Sequence, residues 1–241
     1  MTDTVIFLDS EHGFGKSSNF TVYLNPPLHL DLSKEYKIAL VSSDLWYSWY
    51  NVTTKNNKFK YNNGTDWKTI SVSPGAYNIR DLNGEIKRLI KGGDDDDEKI
   101  SIRANFNTLK SRVIITGDYQ VDFTIPNSLR DLLGQESKTI SAGLNEGKNQ
   151  VDITNIHSIL HKCSLVSSSY LNGSTSDVIY SFSPNQPPGS LLSISPNQLI
   201  YVPISKTEQV SSITMKVTNQ NDELIDFNGE RTTFFISLKT V

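Results

Sequence analysis

One cysteine stands among 241 residues, Cys163, so no disulfide can form within the chain. The fold must form in a reducing compartment or do without bridges. Long apolar runs are missing as well, since no stretch approaches the ~20 residues that a membrane span needs. The N-terminus, MTDTVIFLDSEHG, offers only Val5 to Leu8 behind an acidic flank. That is far short of a signal-peptide core, and secretion by the standard route is not expected. The four Asn-x-Ser/Thr sequons at Asn19, Asn51, Asn63 and Asn172 then read as accidents of an asparagine-rich chain. Charge of one sign is also scarce: 23 basic against 26 acidic residues leave a formal charge of −3. No global field draws in a polyanion, and nucleic acid is not expected as a primary ligand. No GxSxG elbow, signature Cys/His pair or dinucleotide-binding glycine fingerprint occurs. No catalytic residue, cofactor or metal ligand is assigned, and the chain reads as a non-enzyme.

What is present is a rhythm of short strands. Apolar residues make up 37% of the chain and aromatics 10%, enough to offset the entropy of ordering it. Segments rich in Val, Ile, Phe, Tyr and Thr alternate with Asn, Gly, Pro, Ser and Asp clusters. In Asn19 to Asn25, Phe20, Val22 and Leu24 share one face, and Pro26 and Pro27 are expected to stop the strand. Further strands are predicted at Tyr36–Val41, Trp67–Val72, Lys99–Arg103, Ser111–Thr116, Tyr119–Thr124, Cys163–Ser168, Val178–Phe182, Leu199–Pro203, Ile213–Thr218 and Phe234–Leu238. Two segments read as helices. Ile79, Leu82, Ile86, Leu89 and Ile90 recur at helical spacing behind an Asn78 cap, ending near Gly92; Leu129, Leu132 and Leu133 mark a second helix at Asn127–Leu133, with Gly134 as its cap. The expectation is an all-β sandwich of about eight main strands with two short helices, in a single domain over 1–241, its first 18 residues a flexible segment. The predicted core comprises Phe20, Val22, Leu24, Ile38, Leu40, Ile114, Val121, Phe123, Ile179, Ile213, Met215 and Val217.

Several motifs carry a chemical reading beside a plain one. Gly13-Phe14-Gly15-Lys16-Ser17 follows a strand-like VIFL, as a phosphate-binding loop would. Yet Ser10 occupies the first glycine position, and the next segment alternates like a strand instead of opening a helix, so the aligned amides that hold phosphate are not expected. His157, His161 and Cys163 lie close enough in sequence for zinc, but no glutamate completes an HExxH pattern and structural histidines are preferred. Asp94 to Glu98 lack the alternating spacing of a calcium loop and read as a solvated run. Trp46, Tyr47, Trp49 and Tyr50 form an aromatic cluster; side chains at 46 and 47 point to opposite faces of a strand, so core and subunit contact are preferred to one stacking platform. The candidate contact residues are Trp46, Trp49 and Tyr50, with Pro187 and Pro188 of the segment from Pro184 to Gly189, since aromatic anchors and rigid prolines dock at low entropic cost.

The phrases FTVYLNPPLHLDLSKEYKIALVSSDLWYSWYNV, SPGAYNIRDLNGEIKRLI, LRDLLG, SSYLNGSTSDVIYSFSPNQPPGSLLSISPNQLIYVPI and ITMKVTNQNDELIDFNGE, taken in order, resemble one family. It is the minor capsid, or penton, protein of Polinton (Maverick) elements and of the related adintoviruses and virophages. The resemblance runs from about residue 19 to the end. It implies a single jelly roll, five copies of which form a homopentamer closing each icosahedral vertex among double-jelly-roll major capsid proteins. It also implies a virion protein made inside the host cell, and it offers no catalytic residues. A non-viral jelly-roll binding module, trimeric or carbohydrate-binding, is the alternative; a β-sandwich hydrolase would need paired carboxylates that the chain does not display.

Overall fold

Period-two alternation puts the apolar side chains of most strands on one face, and such faces must pack together to leave water. The computed structural model describes residues 4–91 and 99–240. Four strands open the chain: β1 (Thr4–Asp9), β2 (Phe14–Lys16), β3 (Asn19–His29) and β4 (Tyr36–Trp46). Next come β5 (Lys58–Asn62), β6 (Trp67–Ser71), the helix α1 (Ile79–Lys91), β7 (Ile100–Ala104), β8 (Lys110–Ile115), β9 (Gln120–Asp122), β10 (Thr139–Ile140) and β11 (Gly143–Gln150). The last third holds β12 (Ile159–Cys163), β13 (Ser169–Leu171), β14 (Ser174–Ser176), β15 (Val178–Phe182), β16 (Leu191–Ile194), β17 (Val202–Pro203), β18 (Gln209–Asn219) and β19 (Thr232–Thr240).

These elements form two compact units, residues 1–49 with 156–241 and residues 50–155, where the sequence suggested one domain. The first unit has two main antiparallel sheets, ordered β1-β19-β4-β16 and β15-β12-β18-β3-β2, with β17 pairing with β4 as well and β13-β14 forming a separate two-stranded sheet. Setting aside the short β2, β13, β14 and β17 and numbering the remaining eight strands in chain order, the sheets read 1-8-3-6 and 5-4-7-2. That interleaving is the jelly roll. Its core is the set of inward faces, among them Phe20, Ile38, Leu40, Ile159, Ile213, Met215, Val217, Phe234 and Ile236. Phe234 meets Phe20 at 6.0 Å and His161 at 5.0 Å between ring centroids, both from the opposite sheet.

The second unit is the long excursion between the third and fourth jelly-roll strands. It pairs β10-β9-β5-β6 in one sheet and β11-β8-β7 in another. The Asn78 side chain accepts from the Asp81 amide at 2.9 Å to cap α1, whose Leu82 and Ile86 are fully buried. Asn51 donates to the carbonyls of Tyr77 and Ile153 and accepts from the Tyr77 amide, tying three stretches of this unit together.

Four sequence expectations are corrected. Within the 1–18 segment expected to be flexible, β1 pairs along its whole length with β19 and is the first jelly-roll strand, its Ile6 and Leu8 turned inward. Pro26 and Pro27 do not stop β3, because they fall where the register with β18 shifts between Val210 and Ser212, a break in the ladder that asks no amide of them. Asn127–Leu133 is a set of turns and not a helix. Asn127 adopts φ 56°, its carbonyl accepts from the Lys58 amide and the Leu129 amide donates back to Lys58, so β5 holds the start of the segment and only Leu133 donates back to Leu129 as in a helix. Its leucines 129, 132 and 133 are nevertheless buried, and Gly134 has the positive φ of 62° expected of a cap. In β8 the inward residues are Val113 and Ile115, one position off the expected Ile114, since Ser111 begins the buried face.

Truncation of Phe234 to Ala should cost ~3–5 kcal/mol in chemical denaturation, whereas Ile114→Ala, half-buried, should cost about 1 kcal/mol. Equal losses at the two positions would contradict the assigned register.

Candidate assembly surface

Alternation along β4 decides which aromatics are free. Leu45 and Tyr47 turn inward, while Asp44 and Trp46 turn out, Trp46 being 38% exposed. Leu191 lies opposite Trp46 in the neighbouring β16 and is exposed as well. The Tyr47 amide donates to the Ser190 carbonyl and the Gly189 amide donates to the Tyr47 carbonyl, which lays the segment holding Pro187 and Pro188 beside Trp46. Both prolines are exposed. The structure thus brings three of the predicted contact residues to one end of a sheet.

Trp49 is a correction. It is only 3% exposed, stacked on Tyr47 at 3.9 Å and set edge-on to Phe227 at 6.1 Å. An aromatic pair sealed against the core cannot also dock a partner. Tyr50, 39% exposed, is the first residue of the second unit, where its carbonyl accepts from Asn155.

Exposed aromatics that sequence reading passed over complete the surface. Phe7 of β1 stands opposite Phe235 of β19, their rings 6.5 Å apart on the outer face of the same sheet as Trp46. Phe7, Asp44, Trp46, Leu191, Arg231 and Thr233 line a shallow groove of about 280 Å³. On the other sheet, Phe14 and Tyr23 meet edge-to-face at 5.5 Å and are 72% and 65% exposed. The signal was present: Val5 and Phe7 alternate with Ile6 and Leu8.

Gly15, Lys16 and Ser17 line a cleft of about 740 Å³ together with Glu11, Asp226, Glu230 and Arg231. They belong to the β2–β3 hairpin and precede no helix, and three carboxylates against two cations do not favour phosphate. His161 is fully buried among Phe182, Phe234 and Tyr180, and both of its ring nitrogens lack partners. Burial pushes its pKa down to about 3 and that of the Cys163 thiol up to about 12. Among the described residues no group of three or more His, Cys, Asp and Glu is placed to hold a metal. Lys162 is buried too. Burial disfavours its charge, but the Asp222 carboxylate at 2.6 Å and Asp177 at 3.4 Å outweigh it and hold the pKa above the ordinary lysine value. The run Asp94 to Glu98 lies outside the described residues.

No protein-family model matches the chain, and no curated protein matches it. Among solved structures, 99% of the chain aligns with the whole of the mavirus penton protein at 10% identity and a TM-score of 0.48. A chain of the Sputnik virophage structure aligns over 97% of both chains at 12% identity and a TM-score of 0.44.

Two predictions follow from burial. Trp49→Asp places an unpaired carboxylate in the core and should destabilise by more than ~4 kcal/mol, while Trp46→Asp should stay within about 1 kcal/mol of wild type. Thermal melts of the pair decide it. His161 is neutral in the fold with a pKa of about 3, against about 6.5 in the unfolded chain. Between those values the unfolded chain binds the extra proton, so this contribution to stability is complete above about pH 6.5 and falls by ~1.4 kcal/mol per unit on acidification. His161→Phe should flatten that slope in urea titrations at pH 7, 6 and 5.

Proposed function

We propose that the chain is a structural capsid subunit, a penton, five copies of which close a vertex among double-jelly-roll major capsid proteins. The observation that carries the proposal is that a chain bearing penton-like phrases in order from about residue 19 onwards folds one part of itself as a complete eight-stranded jelly roll. A fold alone hosts many functions, so the phrases supply the identity and the topology supplies its consistency. The surface adds support. Exposed aromatics stand on the outer faces of both jelly-roll sheets, and a five-fold ring commits two different surfaces of each subunit. The near-neutral charge fits close packing of like subunits. In this role the protein acts without catalysis and resides in the virion, after synthesis inside the host cell.

Solution mass across a concentration series is the test, repeated with the major capsid protein of the same element and followed by electron microscopy. Five chains per particle, or density for this chain at five-fold vertices, is expected. A stable trimer, or a monomer that stays out of assembled capsids, would instead favour the binding-module reading.

A further inference from the structure

Two exposed aromatic patches lie on opposite outer faces of the jelly roll. One is a groove, bounded by Phe7, Trp46 and Leu191. The other is a protrusion, the Phe14–Tyr23 pair at the β2 edge. Each borders one charge that makes no ion pair: Asp44 on the wall of the groove, and Lys16 two residues beyond Phe14 in β2, at the rim of the cleft that also holds Glu11, Asp226 and Glu230. Neither has an ionic partner among the described residues, whereas Arg231 in the groove is satisfied by Glu11 at 3.2 Å. The signs are opposite. The patches also lie at the same end of the sandwich. Thr232 at the start of β19 donates its hydroxyl to the Ser17 carbonyl just after β2, while Thr233 lies on the groove.

We propose that the occupant of the groove is the Phe14–Tyr23 edge of a second copy of this chain, with Lys16 of one subunit facing Asp44 of the next. This deepens the penton reading and rests on it. The geometry suits a closed ring for three reasons. The patches differ and stand on opposite sheets, so one two-fold pair cannot readily seat both protrusions and the contact runs head-to-tail. They occupy opposite faces, so each subunit can hold a neighbour on either side. They share one end of the sandwich, as side-by-side contact between upright subunits requires. Aromatic anchors filling a pocket supply the affinity, and the charge pair fixes the register.

The test uses the full chain and a charge-swap series read by native mass spectrometry and sedimentation, with thermal melts as the folding control. Lys16→Asp and Asp44→Lys should each weaken the ring at least about tenfold, since like charges then meet at every contact. The double variant should recover assembly to within about threefold. Mixing the two single variants gives a sharper outcome: opposite charges meet only where the variants alternate, and an odd ring must contain one like-charged contact, so the mixture should favour even or open assemblies over pentamers. Phe14→Ser, at an exposed position, should weaken the ring without lowering the melting temperature. If pentamers form and none of these variants shifts them, the inference is wrong and the penton reading stands. If the wild-type chain forms no ring, alone or with its major capsid protein, both fail.

Discussion

Phe234 sits where the two sheets of the jelly roll meet, against Phe20 and His161 of the facing sheet, and the rest of the first unit depends on that contact staying dry. The eighth jelly-roll strand, β19, is held between β1 and β4 and is therefore committed on both edges. Its inward residues Phe234, Ile236 and Leu238 are all buried, so its outward residues are fixed by default, Phe235 among them. A strand gives each residue one face only. The aromatics outside are thus a consequence of the register that buries those inside, and a one-residue slip would exchange the two sets.

The same dryness explains the odd chemistry of β12. All five of its residues are buried, three of them ionisable. His161 faces the core with no hydrogen-bond partner and tolerates this only as the neutral ring, making edge-to-face contacts with Phe182 and Phe234. Lys162 faces the other way and keeps its charge, because Asp222 and Asp177 supply the counter-charge that burial demands. Adjacent residues of one strand thus resolve the same desolvation problem in opposite ways. The Lys162 amine is held protonated by its two carboxylates, and burial holds the Cys163 thiol neutral.

Much of this was legible where a segment obeys a single rule. The stripe of α1 and its Asn78 cap, the faces of β3 and β18, and the opposite orientations of Trp46 and Tyr47 all follow from periodicity. The misses arise where two rules compete. VIFL alternates well enough for a strand, but its shortness and acidic flanks read as a loose terminus; only pairing with β19, more than two hundred residues away, makes it one. Prolines 26 and 27 argue for a stop in local terms, yet the register shift of β18 absorbs them. The helical spacing of Leu129, Leu132 and Leu133 predicted burial correctly and backbone wrongly, since spacing reports which side chains face inward and not which carbonyls their amides find. Trp49 carried two plausible roles, and only the position of Phe227, far along the chain, decides for the core.

The excursion between β4 and β12 shows how a long insertion can be carried by a jelly roll. More than a hundred residues leave the sandwich and return, and loop-closure entropy alone would penalise such a gap only mildly. The larger risk is a floppy connection. Within the second unit that risk is met at its base: Asn155 donates to the Tyr50 carbonyl, and Asn51 donates to Ile153 while also binding both polar groups of the Tyr77 backbone. The first and last residues of the unit are therefore bonded to each other. It has a core of its own, in which Leu82 and Ile86 of α1 join Val113, Ile115, Phe59 and Phe123. The strand order of the jelly roll consequently survives the interruption, because the register of β4 against β16 and β19 and of β12 against β15 and β18 is set within the first unit alone.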